Sequence, residues 1–221
     1  MQIQDKTDKL SWTIKIMYDV YVGSYTHIAR LAHAPDTKHS GQGISLYRFD
    51  SGHLRYVKNI TCDNPAVLSF HPTQPDCLYA ITEGIEENGT ITGFRQHERF
   101  TSVQSHGKST CFFKIDPSGR YGICVNYWDG SLDVFEVNQG VFGKHVQHVD
   151  HNALRTTSRQ VTNREDHWQN RQVGAHPHSV HFWENKVFVP DLGNDCIVQY
   201  RFEGGQLVYE SCVHLLSGSG P

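Results

Sequence analysis

The stretch "TCFFKIDPSGRYGICVNYWDGSLDVFEV", Thr110 to Val137, decides how the rest of the chain is read. One run of apolar and β-branched residues stops at Asp116-Pro117-Ser118-Gly119. A second, "YGICVNY", stops near Asp129-Gly130, and "SLDVFEV" follows at once. Short runs of this composition, broken by Gly, Pro, Asp and Asn, are strands joined by tight turns. Two other segments lie over it: "PAVLSFHPTQPDCLYAITEG" from Pro65 and "PHSVHFWENKVFVPDLGNDCIVQYRF" from Pro177. A third strand follows in each case ("GTITGFRQ", "GSLDVFEV", "DCIVQYRF"). The outer strands are then "RFTSVQSH", "GVFGKHVQHV" and "QLVYESCVHLL". The turn prolines Pro72 and Pro117 stand 45 positions apart. The third turn, Trp183-Glu184-Asn185, comes later because a polar, His-rich stretch at about 145–175 intervenes.

Four antiparallel strands repeating at this period are the signature of a β-propeller blade. A β-sandwich is the competing all-β architecture, but its strands do not recur as similar four-strand units. Ahead of the three full units the chain supplies part of another: "DVYVGSYT", "GISLYRFD" and "HLRYVKNI" match second, third and fourth strands, with no first strand before them. The expectation is an N-terminal extension over 1–17 and a partial propeller over 18–221, an arc of about four blades. An open arc leaves edges unpaired, so the chain is expected to be a fragment, or less readily to close by oligomerising.

Composition narrows the function. Among 221 residues, 20 Lys and Arg against 23 Asp and Glu give a net charge of −3, no footprint for nucleic acid. No apolar run has the length of a signal peptide or a spanning helix, so no membrane partner is expected and the cytosol is the default. The six cysteines never fall in C-x-x-C spacing and sit mostly among β-type residues, which favours buried reduced thiols over disulfides or zinc. The sequons at Asn59 and Asn88 carry little without a secretory signal.

Taken together, "VYVGSYT", "NPAVLSFHP", "CLYAITE", "IDPSGRYGICVNYWDGSLDVFEV", "RQVGAHPHSVHF" and "VPDLGNDCIVQYRF" resemble the lactonase family of seven-bladed propellers, from about Asp19 to the last residue. Its members are described as 6-phosphogluconolactonases, with fungal carboxymuconate-cyclising enzymes as relatives. In that family the next segment would begin "G-x-G-P-R-H", and an "N-E" motif would follow on a later blade. Thr110 departs from the family's usual proline, a change expected to touch only a loop.

The resemblance implies hydrolysis of a phosphorylated sugar lactone, 6-phosphogluconolactone to 6-phosphogluconate, as in the pentose phosphate pathway, with no metal or organic cofactor. A lactonising activity or a non-catalytic interaction platform are the alternatives. Opening a lactone needs an activated water, a stabilised oxyanion and a cationic seat for the phosphate. In a propeller these gather at one mouth of the channel, so the matched ends of second strands matter: Tyr25, Glu83, Asn126 with Tyr127, and Asp191. The competing reading is a ring of structural hydrogen bonds between blades.

In "AHPHSVHF" strand alternation would turn His176 and His178 toward one pocket. Substrate contact, structural hydrogen bonding and metal ligation all remain open for the pair. The resemblance favours His178 as substrate contact or general base, since imidazoles ordinarily titrate near neutral pH. His178 and Asp191 are thus the catalytic candidates, and His176 a substrate contact. Arg171 and Gln172 match the family's "RQ"; Arg171 would seat an anionic group bidentately, unless it is a solvated loop arginine. Asp195 suits the tight turn. His145, His148 and His151 stand three apart in "HVQHVDH", the spacing of a metal-binding helix face. The segment begins as an outer strand and passes into a polar loop, however, so solvated histidines are expected. "GKST" at 107–110 lacks the first glycine and the helix of a phosphate loop.

Overall fold

The strands form four antiparallel meanders. In the first, β1 (Met17–Ser24), β2 (Gly43–Asp50) and β3 (His53–Ile60) make a three-stranded sheet. The second contains β4 (Pro65–Phe70), β5 (Cys77–Thr82), β6 (Asn88–Arg95) and β7 (Glu98–Lys108). The third contains β8 (Thr110–Ile115), β9 (Tyr121–Asn126), β10 (Ser131–Asn138) and β11 (Val141–Asp150). The fourth contains β12 (His181–Trp183), β13 (Lys186–Asp191), β14 (Cys196–Glu203) and β15 (Gln206–His214). Within every sheet the strand order follows the chain. This computed structural model describes residues 17–31, 39–154 and 172–221.

Successive sheets stack as blades, β1 along β4, β4 along β8, and the outer strand β11 against both β7 and β15. In the two middle blades the second strands, β5 and β9, are buried on both faces, and the two-residue alternation of a strand assigns each face to a different neighbour. On β5, Leu78 and Ala80 meet Ile44 and Ile60 of the first blade, while Cys77, Tyr79 and Ile81 meet Phe113, Ile115 and Phe135 of the third. On β9, Cys124 turns back to that cluster, while Ile123 and Val125 join Val187, Val189 and Val198 of the fourth blade. One apolar layer therefore lies between each pair of blades, which no two-sheet sandwich provides. The Tyr79 hydroxyl, carried into this layer, donates to the Gly140 carbonyl at 2.7 Å.

The turns between first and second strands explain "DPSGR". The Asp116 carboxylate accepts from the backbone N–H groups of Ser118, Arg120 and Tyr121 at 2.8–3.0 Å, and Gly119 supplies the positive φ. In the second blade His71 takes the same place: its Nδ1 accepts from the Thr73 N–H, and its Nε2 lies 3.2 Å from the Gly119 carbonyl of the next turn.

Thr110 is not a loop residue, as had been expected of this departure from proline. It opens β8 fully buried, and its hydroxyl donates to Asn126 Oδ1 at 2.7 Å with Ser105 Oγ at 2.8 Å. Thr110→Val is therefore expected to cost about 1–3 kcal/mol by stranding the Asn126 carbonyl oxygen. Thermal unfolding checks this, with Thr110→Ser expected to stay close to the parent.

Candidate functional site

Strand register sorts the matched polar residues into two rows. The ladders pair Ser24 with Gly43, Thr82 with Thr90, Asn126 with Ser131 and Asp191 with Cys196, so these four end their second strands in equivalent places. One residue on come Tyr25, Glu83, Tyr127 and Leu192. The backbone confirms the match, because the N–H groups of Glu83, Tyr127 and Leu192 donate to the carbonyls of Asn64, Ser109 and His176 at 3.0–3.1 Å. Asp191 thus belongs with Asn126, and Leu192 holds the place in the fourth blade that Tyr25, Glu83 and Tyr127 hold in the others.

The rows differ in accessibility, although Tyr127 in the second row is itself buried. Asn126 and Asp191 are fully buried. Asn126 accepts from Thr110 and donates to Ser131 Oγ and Asp133 Oδ2. Asp191 accepts at Oδ1 from the backbone N–H groups of His176 (2.8 Å) and Asn194 (3.0 Å). At Oδ2 it accepts from His151 Nδ1 (2.9 Å) and Asn194 Nδ2 (2.8 Å). Burial alone would raise its pKa, but His151 and the backbone donors outweigh that and hold the carboxyl below the usual carboxylate range. An oxygen pair so engaged does not reach substrate, so the expected catalytic role of Asp191, and a direct substrate contact by Asn126, give way to positioning roles.

The accessible row is wired across blades. The Tyr25 hydroxyl donates to Glu83 Oε2 at 2.9 Å, and Ser109 Oγ donates to Glu83 Oε1 at 3.2 Å. Burial, then the adjacent Glu83 charge, pushes the Tyr25 phenol up to about 12, so it stays a proton donor at neutral pH. The starts of the first strands complete the surface. With Pro65 opposite Thr82, Thr110 opposite Asn126 and Pro177 opposite Asp191, the next residues Ala66, Cys111 and His178 are equivalent. Cys111 Sγ lies 3.7 Å from the His178 carbonyl. Burial, followed by the Glu83 charge, raises its thiol to about 12, so it is no thiolate nucleophile.

His176 and His178 do not share one orientation. After the Pro177–Asp191 bridge, ladder pairing resumes only at β12, so strand alternation does not govern residues 178–180. His176 is buried, stacks on the Tyr127 ring (centroids 4.6 Å, 15° between planes) and donates through Nδ1 to the Tyr127 carbonyl at 2.7 Å. His178 is exposed, meets the same ring edge-on at 5.4 Å, and is tethered by its own N–H to the Pro190 carbonyl. Gln172 is half-buried at the start of this segment, and Arg171 lies outside the described residues. Asp195 takes the turn with φ 43°, and its carboxylate also accepts from the N–H groups of Gly218 and Gly220.

The expectation of solvated histidines at 145, 148 and 151 is corrected for His151, while His145 and His148 are exposed. His151 has no exposed surface and joins Asp191 to the Tyr200 hydroxyl, 2.8 Å from its Nε2. His145 and His148 both bond Asp133. Sequence reasoning also missed Ser109 and Cys111, which alignment of the residues flanking Pro65, Thr110 and Pro177 would have exposed. Nothing in the sequence marked Tyr200 or the pairing of His151 with Asp191. A cavity of about 330 Å³ between the first and second blades touches the accessible row only at Glu83 and mixes Arg30 and Arg99 with Glu86 and Glu87. It lies apart from the His178 surface.

Residues 19–221 match the model of the family described as "Lactonase, 7-bladed beta-propeller". The chain belongs to this lactonase family. A curated relative, a 6-phosphogluconolactonase of Formosa agariphila, is 27% identical over 91% of this chain and 56% of its own length. The periplasmic gluconolactonase PpgL of Pseudomonas aeruginosa superposes with a TM-score of 0.72 at 25% identity, over 93% of this chain and 57% of that one. A Lactobacillus plantarum protein gives the same TM-score at 21% identity over 93% and 55%, a likeness of fold alone. The chain thus spans a little over half the length of these relatives. No helix among the described residues is long and apolar enough to cross a membrane.

Proposed function

We propose that the protein hydrolyses a sugar-acid lactone, with 6-phosphogluconolactone as the substrate and the cytoplasm as the place of action. The observation that carries this reading is the polar surface joining four blades: exposed His178 against Tyr127, with the Tyr25–Glu83–Ser109 chain reaching toward it past Cys111. A bare interaction platform has no use for such a chain of polar groups, and the Formosa and Pseudomonas relatives named above are a 6-phosphogluconolactonase and a gluconolactonase.

In this reading the neutral His178 imidazole takes a proton from a water as its oxygen bonds to the lactone carbonyl carbon. The ring C–O bond then breaks, the proton passes from His178 to the departing alkoxide, and the new carboxylic acid releases the second water proton to solvent, leaving a carboxylate and a free hydroxyl. Tyr25, a donor throughout the neutral range, and Glu83, an acceptor, orient the sugar hydroxyls. Gln172 and Arg171 hold the phosphate. His176 and Tyr127 form the floor against which His178 is set, and Asp191 holds that floor from behind through the His176 N–H.

Turnover of freshly prepared 6-phosphogluconolactone, corrected for spontaneous opening, tests the reading against a panel of unphosphorylated lactones. His178→Ala is expected to lower kcat by about 10²–10⁴-fold, the worth of a general base, with thermal unfolding unchanged. An undiminished rate in that variant, or no turnover above the spontaneous rate, overturns it.

A further inference from the structure

We propose that the blade edge away from the His178 surface carries a binding site for a late first-row divalent cation of the zinc class, formed by His106, Asp133 and His145, with His148 as a hydrogen-bond partner of the same carboxylate. Three imidazoles from two blades converge on one carboxylate oxygen. Asp133 Oδ1 lies 2.8 Å from His148 Nδ1, 2.9 Å from His145 Nε2 and 3.3 Å from His106 Nδ1. The ligand atoms of His106, Asp133 and His145 all lie within 4.8 Å of one another.

The convergence is built, not incidental. His145 and His148 are three apart and would face opposite sides of a regular strand. A register shift between β10 and β11 places His145 opposite Phe135 and His148 opposite Asp133, leaving Val146 as the extra residue. That bulge turns both rings to the same side. His106 arrives from β7 of the preceding blade, its own N–H bonded to Asp133 Oδ2, and its ring centroid is 4.0 Å from that of His145. Oδ2 is further held by Asn126 Nδ2 at 2.8 Å, so the carboxylate is locked with Oδ1 presented outward.

Hydrogen bonding alone accounts poorly for this arrangement. An oxygen has two lone-pair sites, and three ring nitrogens compete for them. The carboxylate is 0% exposed, while the His106, His145 and His148 side chains are 50%, 32% and 42% exposed. A buried carboxylate is thereby ringed by accessible imidazole nitrogens, the donor set that divalent zinc-class ions prefer. Donors around a tetrahedral zinc ion stand roughly 3.3 Å apart, from metal–ligand lengths of about 2.0 Å; small outward ring movements reach that spacing. Cys124 Sγ, 3.9 Å from Oδ2, is fully buried with its thiol pushed up by that burial, and is not a ligand. Bound there, an ion would staple β7 to β11 across the seam between the second and third blades.

The test is calorimetric titration of the chelator-stripped protein with zinc chloride, paired with the absorption spectrum of the cobalt(II) form. One equivalent is expected to bind, with tetrahedral cobalt bands lacking thiolate charge transfer and with a raised Tm. His145→Ala and His106→Ala are expected to weaken binding by at least about 100-fold, beyond what losing an outer-shell partner costs. Both rings are half-exposed, so the metal-free variants should unfold near the parent temperature. Cys212→Ser should bind as the parent does, because the other group with ligand spacing among the described residues is Cys196, Cys212 and His214. No binding, unchanged binding in His145→Ala, thiolate charge transfer, or loss of binding in Cys212→Ser would each overturn the proposal.

Discussion

Asp191→Ala is expected to destabilise the protein by about 3–5 kcal/mol, the cost of removing one partner from a buried charged network. At this chain length that lowers Tm by about 6–20 °C. Four donors lose their acceptor at once: the N–H groups of His176 and Asn194, Asn194 Nδ2 and His151 Nδ1. None can turn to water, since Asp191 and His151 have no exposed surface. The same carboxylate shapes the acid limb of stability. Its folded pKa lies below its unfolded value near 4. The unfolded chain therefore binds the proton more readily, and the stabilisation is full above the unfolded pKa. It is lost as pH falls through the lower folded value. Urea unfolding between pH 7 and pH 3 should show a steeper loss of stability below pH 4 in the parent than in Asp191→Ala. Equal slopes, or a variant as stable as the parent at pH 7, would remove Asp191 from its positioning role.

The fold was legible because propeller strands state their environment twice. Leu78 and Ala80 face one neighbour and Tyr79 and Ile81 the other, so the run reads as continuously apolar, and its turns recur at a blade's period. The site was less legible, for a reason rooted in register. A strand's end can be read from sequence only to within a residue, yet one residue exchanges a buried side chain for an accessible one. That is how Asp191 came to be grouped with Tyr25, Glu83 and Tyr127, when the ladder aligns it with Asn126. The histidines failed differently. The bulge opposite Phe135, which unites His145 with His148, follows from no residue pattern in "GVFGKHVQHV". The partner of His151 lies 40 positions away in sequence. Cys111 and Ser109 were within reach, since the repeat that revealed the fold also aligns them with His178 and His176.

Gly193→Ala should damage both stability and the site, and its repeat partner supplies the control. Gly193 follows Asp191 by two residues, as Gly84 follows Thr82, so the two glycines occupy equivalent positions. A Cβ on Gly193 would stand 1.8 Å from the Gly174 carbonyl oxygen and 3.0 Å from the His176 nitrogen, while one on Gly84 meets nothing closer than the Arg30 oxygen at 3.8 Å. The obstruction at Gly193 is backbone, which cannot swing aside as a side-chain tip can. The segment 174–176 must move, and with it the His176 ring that rests on Tyr127 and donates to its carbonyl. Overpacking of this kind costs about 3 kcal/mol, whereas Gly84→Ala should fall within about 1 kcal/mol of the parent. Lactone turnover should follow the same order, falling in Gly193→Ala at temperatures where that variant is still folded, because the surface beneath His178 has shifted. Matching stabilities and rates for the two variants would show that the close approach of the Asp191–Asn194 turn to His176 does not set the geometry of the site.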